Sequence, residues 1–460
     1  MIRLFNAYFP TRTLLLTVTE ALLVTLAFTV SVVFWAGTAT DANIYLLYEN
    51  GFGRIGLVVG IFVLLMYYFD LYDSIVLSNR REVVTRLVGV LGCAFVALSV
   101  LYYAFPEISL VGGTLWLGVA IVGVTVPAWR KLFFVLNRSA RFSERAILYG
   151  DGPLAVPLME EIASRSELGV RVVGFIGNST ETAAGIPRFD EDDLQDVVEQ
   201  RNVRRVVVTM GDRRGKLRVD QLLKLKTKGI YIQDGPEYYE SITGKIPLES
   251  VRLSWLIFSP GFHVRAALRL YKRMFSLLLG SLAIVITSPI MLLAAIAVRL
   301  GSRGPAIFRQ KRVGENGKLF TVYKFRSMFE GSDKIKLTPA EHGDPRVTRV
   351  GKWLRRTRVD ELPQLFNIVK GDMAFVGPRP FVPEQEEECA AQIPFYRERW
   401  LVKPGATGWA QINRGYNATL EDNREKLAYD LFYIKNVSFG LDLFIMFSTI
   451  KILLLGRGGR

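Results

Sequence analysis

The run "FSLLLGSLAIVITSPIMLLAAIAV" (Phe275–Val298) is long enough to cross the roughly 30 Å hydrocarbon core of a bilayer. Its flanks, however, carry the same sign of charge. Arg265, Arg269, Lys272 and Arg273 precede it, and Arg299, Arg303, Arg309, Lys311 and Arg312 follow it. Lysine and arginine collect on the cytoplasmic side of membranes, so both ends ask for the same face. Ser288-Pro289 lies near the middle, where proline removes a backbone donor and kinks a helix. The pattern predicts a re-entrant helix over 275–298 that enters, breaks at Ser288 and Pro289, and returns. A proline-kinked span that departs from the charge bias is the alternative.

Four further apolar segments stand upstream: Leu14–Ala36, Ile55–Phe69, Leu87–Phe105 and Leu110–Trp129. Three have spanning length, and the second reaches it if Gly51–Arg54 joins, with the Arg54 head snorkelling towards water. The second connection carries Arg80, Arg81 and Arg86, and the exit carries Arg130, Lys131, Arg138 and Arg141, whereas "GTATDANIYLLYENG" and "PEIS" carry no lysine or arginine. Both ends of this bundle are therefore expected to face the cytoplasm. The whole chain of 460 residues is 50% hydrophobic with a formal net charge of +15, which suits a membrane protein with basic surfaces and more than one structural unit. Two cysteines and two isolated histidines, His263 and His342, exclude a disulfide framework and argue against zinc or Ser-His-Asp chemistry.

From Glu144 to about Ser259 the apolar runs shorten. "RAILYGDGPLAVPLMEEI" reads as strand, glycine turn and helix, and "VRVVGFIGN", "VRRVVVTMG" and "GIYIQD" as further strands, an alternation that builds a parallel α/β sheet. The turn Gly150-Asp151-Gly152 approximates a dinucleotide-binding fingerprint, but Asn178 stands where an acidic ribose ligand is expected. A tight turn without a nucleotide reads equally well.

Downstream, "RRTRVDELPQLFNIVKG" (Arg355–Gly371) sets Asp360 and Glu361 between arginines and Pro363. Pro363 suits a first helical turn and Gly371 a helix end, so the helix is expected to start at or near Asp360. Asp360 is then either a helix cap, or a carboxylate that cationic neighbours keep ionised and surround with phosphates. In the second case it is a nucleophile able to form an acyl phosphate, with Glu361 free to act on a metal or a proton. Arg379, held between Pro378 and Pro380, suits a phosphate clamp. Lys324 and Arg326 of "YKFRSM", and Arg358 beside the acids, are further phosphate-binding candidates or solvated charges.

The segment from about Arg269 to Leu455, through the re-entrant run, "DELPQLFNIVKGDMAFVGPRP" and "VKPGATGWAQIN", resembles the bacterial polyprenyl-phosphate sugar-1-phosphate transferases, the monotopic phosphoglycosyl transferases. The N-terminal spans and middle domain make it similar to their long form, the undecaprenyl-phosphate glucose phosphotransferases. The resemblance implies a multi-domain membrane protein of the bacterial inner membrane. It would hold a four-helix transmembrane bundle (1–142), a Rossmann-like α/β domain (143–262), and a cytoplasmic-face, membrane-associated α/β catalytic domain (263–460). It implies that Asp360 attacks the β-phosphorus of a UDP-sugar, expels UMP and passes the sugar phosphate to undecaprenyl phosphate. It also implies a Mg²⁺ cofactor, with Asp360 and Glu361 as candidate ligands, and places Asp430 near the site. No nucleic-acid partner is expected. Homodimer formation, nucleotide regulation and spacing all stay open as uses of the middle domain. A membrane-anchored sugar-nucleotide epimerase or dehydratase, and a non-enzymatic polysaccharide export component, are the competing functions.

Overall fold

A computed structural model describes residues 1–4, 6–73, 80–138, 143–177, 186–211, 217–250, 259, 261–262, 266–332, 344–414 and 419–455. Arg141, Asn178, His263, Arg265 and His342, on which parts of the sequence reading rest, lie outside the described residues. The chain forms two compact units, one of Met1–Ile2 with Phe9–Tyr238 and one of Arg3–Tyr8 with Tyr239–Arg460.

The first unit contains the apolar helices Thr11–Ala36, Gly51–Tyr68, Arg80–Ala104 and Thr114–Arg138, each long and apolar enough to cross a membrane. Phe28, Val58, Phe62, Val90, Leu98 and Val126 interlock as their common core. The second helix does begin at Gly51, and the Arg54 head reaches the connections at that end of the bundle, its Nη1 donating to Tyr45 Oη (3.0 Å) and the Ser109 carbonyl (3.1 Å). Arg130, one of the basic residues at the exit, is buried. Its Nε and Nη2 donate to Glu20 Oε1 (2.5 Å) and Oε2 (2.9 Å), its Nη1 donates to the Leu71 carbonyl, and Tyr72 donates to Glu20 Oε2. Pairing of this kind offsets the cost of taking the carboxylate out of water.

The α/β part of this unit is a five-stranded parallel sheet of Glu144–Tyr149, Val170–Ile176, Arg188–Phe189, Arg205–Val208 and Tyr231–Asp234. Its spatial order is third, second, first, fourth, fifth. The glycine turn follows the first strand. Gly150 has φ +108°, and a Cβ on Gly152 would stand 1.8 Å from the Thr209 carbonyl. Close approach of two backbones at the ends of the first and fourth strands therefore accounts for these glycines.

In the second unit one helix, Ala266–Gly301, contains Ser288 and Pro289. It is continuous at the position where a break is expected; Ser288 Oγ donates to the Val285 carbonyl. Its two ends nevertheless pack on the globular part of the same unit. Arg273 donates to the Ile368 and Val369 carbonyls, while Ala294 and Val298 are buried against Phe325 and Leu354. Between them Leu282, Val285, Ile286 and Ile290 are exposed. The globular part opens with an antiparallel hairpin, Ile307–Val313 with Leu319–Phe325. Helix Arg349–Thr357 follows, capped by Thr348, whose Oγ1 accepts from Gly351 N. After the acids come helix Gln364–Lys370, the parallel strand pair Ala374–Val376 and Gly405–Thr407, and the helices Pro383–Gln392, Leu420–Asn436 and Phe439–Leu454.

Candidate active site

Asp360 and Glu361 do not open a helix. They stand on a single 3₁₀ turn, Val359–Glu361, between two helices, and the second helix begins only at Gln364. The chain can turn so sharply because Arg358 takes the left-handed conformation (φ 59°). Buried Asn367 fixes the turn against the hairpin: its Nδ2 donates to the Thr321 carbonyl (2.7 Å), and Tyr323 N donates to its Oδ1 (3.1 Å). That contact brings Lys324 over the acids.

The two carboxylates have opposite surroundings. Glu361 collects the cations: Oε1 lies 2.7 Å from Lys324 Nζ and 3.2 Å from Arg379 Nη2, and Oε2 lies 3.7 Å from Arg358 Nη1. Burial pushes its pKa up, but Lys324, Arg379 and Arg358 outweigh burial and hold it well below the usual range. Asp360 is 8% exposed, and its Oδ1 has no hydrogen-bond partner. Burial, with the adjacent Glu361 charge, raises Asp360 to about 6 against the pull of Lys324, Arg355 and Arg358. Lys324, Arg355 and Arg358 favour the ionised form of Asp360, as expected, but burial and the Glu361 charge outweigh them, since Lys324 and Arg358 also sit on its neighbour. With a pKa near 6 the group is still about nine-tenths ionised at pH 7. An Oδ1 without a donor also speaks against a helix cap, which needs a backbone N–H on the carboxylate.

Both acids line a cavity of about 1170 Å³, together with Lys324, Arg326, Arg355, Arg358, Arg379 and Gln364. A wall so rich in cations is suited to phosphate groups. Arg326 lines it but is committed elsewhere: its Nη1 donates to the Arg303 carbonyl (2.6 Å) and its Nη2 to the Ser302 carbonyl (2.8 Å) and Oγ (2.9 Å). It therefore caps the end of the long helix 266–301 instead of offering a free fork. Arg355, which sequence reading passed over, lines the cavity with its Nε donated to Ser327 Oγ (2.8 Å).

Asp430 is not among the cavity-lining residues. It is buried in helix 420–436, and its Oδ2 accepts from Arg399 Nη2 (3.0 Å). The same Nη2 donates to the Arg379 carbonyl (2.9 Å), and Arg399 Nη1 donates to Glu386 Oε1 (3.0 Å) and Tyr396 Oη (2.8 Å). Asp430 thus reaches the Pro378–Pro380 loop through Arg399. Burial raises Asp430 to about 6, with Arg399 opposing it. Trp409 packs inside the fold, stacked on Phe432 and donating to the Gly244 carbonyl. Ser288 and Pro289 lie on the long helix, away from the cavity-lining set.

The cavity thus sets a buried carboxylate whose Oδ1 has no hydrogen bond beside a cation-bound one, in a wall rich in arginine. The family of bacterial sugar transferases matches residues 267–456, and this chain belongs to it, as the following relatives show. A UDP-glucose:undecaprenyl-phosphate glucose-1-phosphate transferase of Klebsiella pneumoniae is 35% identical over 334 residues, 71% of each chain. A protein of the same name from Xanthomonas campestris pv. campestris is 30% identical over 83% of this chain and 82% of its own. A UDP-N-acetylgalactosamine-undecaprenyl-phosphate N-acetylgalactosaminephosphotransferase of Aeromonas hydrophila is 42% identical over 224 residues. That last match spans about half of the relative, 52%, and 48% of this chain.

Proposed function

We propose that this protein transfers a hexose 1-phosphate from a UDP-sugar to undecaprenyl phosphate and releases UMP, as the first membrane step of a glycoconjugate or exopolysaccharide. The observation that carries the reading is the unpartnered, buried Oδ1 of Asp360 at the cation-lined cavity. A desolvated carboxylate without hydrogen bonds is a stronger nucleophile than a hydrated one. Asp360 attacks the β-phosphorus of the donor; the bond from that phosphorus to the oxygen bridging to the α-phosphate breaks, and UMP leaves with the electron pair. The acyl phosphate so formed is attacked at phosphorus by an oxygen of undecaprenyl phosphate, which restores the carboxylate. Arg379, Lys324, Arg358 and Arg355 surround the phosphates, while Arg399 and Asp430 hold the Arg379 loop.

Among the described residues no group of three or more His, Cys, Asp or Glu could hold a metal by itself. A magnesium ion, which takes one or two carboxylates plus substrate phosphates, fits Asp360 and Glu361 in that limited role, and the orphaned Oδ1 is consistent with it. Bound there, it would neutralise diphosphate charge.

UDP-glucose is the first donor to test, since two relatives at least 30% identical over more than two thirds of the chain carry that name; UDP-galactose follows, from the name of a relative 28% identical over 77% of the chain. The Aeromonas relative favours an N-acetylated hexose as the third. The re-entrant reading of helix 266–301 is supported by its two ends packing on one globular body with an exposed apolar middle. The sheet order third-second-first-fourth-fifth supports the Rossmann-like reading of the middle region. An inner-membrane location with the catalytic part on the cytoplasmic face follows from the charge bias. The test is intact mass after incubation with donor and no acceptor. The reading expects one hexose-phosphate added to wild type and none to Asp360→Asn; an unmodified wild type under conditions where UMP appears would overturn the covalent step.

A further inference from the structure

The helix Arg349–Thr357 buries Gly351 and Leu354, while Arg349, Lys352, Trp353 and Arg356 are exposed. These four stand at i, i+3, i+4 and i+7, so they form one continuous face. Trp353 is 56% exposed, which is unusual for so large an aromatic ring on a water-facing helix.

The position of this helix says what covers the face. Val350 lies against Gly301, where an added Cβ would meet it at 2.9 Å. One turn further on, Leu354 packs with Ala294 and Val298. The helix therefore runs beside the apolar one from its polar end, at Gly301, back to the level of Ala294. Ala294 and Val298 belong to the apolar run, and Arg299 marks where it leaves the hydrocarbon. Trp353 and Arg356, flanking Leu354, then stand at headgroup depth, where tryptophan and arginine are the preferred residues.

We infer that the face formed by Arg349, Lys352, Trp353 and Arg356 is a docking surface for anionic lipid headgroups. Three cations on one face match anionic phosphate, and continuity with helix 266–301 makes the bilayer the occupant in reach. An adjoining side of the same helix carries Arg355 to the cavity, and Asp360 follows six residues after Leu354. Seating this helix on headgroups thus sets the depth of the site. The inference rests on helix 266–301 lying in the bilayer and not on the identity of the sugar.

The test uses the full chain in nanodiscs of equal phosphatidylglycerol and phosphatidylcholine, with brominated acyl chains on either one lipid or the other. The chain has 7 tryptophans, so the Trp353 signal is taken as wild type minus Trp353→Phe, with Trp353→Tyr as a second subtraction. The expected result is that brominated phosphatidylglycerol quenches this component at least about twofold more than brominated phosphatidylcholine, a preference lost in Arg349→Gln/Lys352→Gln/Arg356→Gln. Equal quenching by both lipids would overturn the charge recognition. No quenching by either would show that the face meets water or a protein, and would overturn the inference altogether.

Discussion

Replacing Asp360 by Asn should make the protein more stable at neutral pH while abolishing its chemistry. The carboxyl titrates at about 6 in the fold against an ordinary value of 3.8. A group whose pKa is raised by folding is protonated in the native state before it is protonated in the unfolded chain. Stability is therefore undiminished below about 3.8, falls as pH rises between the two values, and stays reduced above 6. The full penalty is about 3 kcal/mol, and roughly half of it remains at pH 5. Asn does not titrate and escapes it, although its amide also needs partners, so 3 kcal/mol is an upper bound. For a unit of this size that corresponds to a rise in thermal midpoint of up to about 6–12 °C. The assay is thermal unfolding in nanodiscs at pH 8 and pH 4, wild type against Asp360→Asn, without substrate. A gain at pH 8 that shrinks towards zero at pH 4 is expected. A less stable mutant at pH 8, or a gap that ignores pH, would refute the assignment of Asp360 as a buried charge held against its own solvation.

Other consequences follow from the same geometry. The rate of adduct formation with donor alone should rise about tenfold per pH unit up to about 6 and then level off; a limb near 4 would mean that cations hold Asp360 after all. Arg399→Lys keeps the buried charge but cannot bridge Asp430, Glu386 and the Arg379 carbonyl together. Turnover should fall about 10²-fold with KM nearly unchanged, while Arg399→Met, which strands two buried carboxylates, should lose about 3–5 kcal/mol of stability. Gly152→Ala should destabilise the α/β sheet by about 1–3 kcal/mol through its clash with Thr209, read by hydrogen exchange of strands 144–149 and 205–208.

The apolar helices, the buried strands and the paired acids were legible because each is written in a local period, a run length or a short motif. The helix boundary near Asp360 was not. Pro363 and Gly371 do bracket a helix, but the left-handed Arg358 inserts a tight turn before it, and no local signal marks a non-glycine residue in that conformation. Partner choice was the other loss. Glu20 and Arg130 are 110 residues apart, Arg326 meets helix-end carbonyls, and Arg399 joins Glu386, Asp430 and the Arg379 loop. Charge beside an acid predicts that cations gather; only the tertiary fold decides that Lys324 and Arg379 settle on Glu361 and leave Asp360 Oδ1 without a hydrogen bond.

The most direct measurement is nucleotide release from a panel of UDP-sugars by the purified protein with Mg²⁺ and undecaprenyl phosphate, wild type beside Asp360→Asn. The account predicts UMP from at least one UDP-hexose with wild type and none with the mutant. Release of UDP in place of UMP, no nucleotide from any donor, or an unimpaired Asp360→Asn would contradict it.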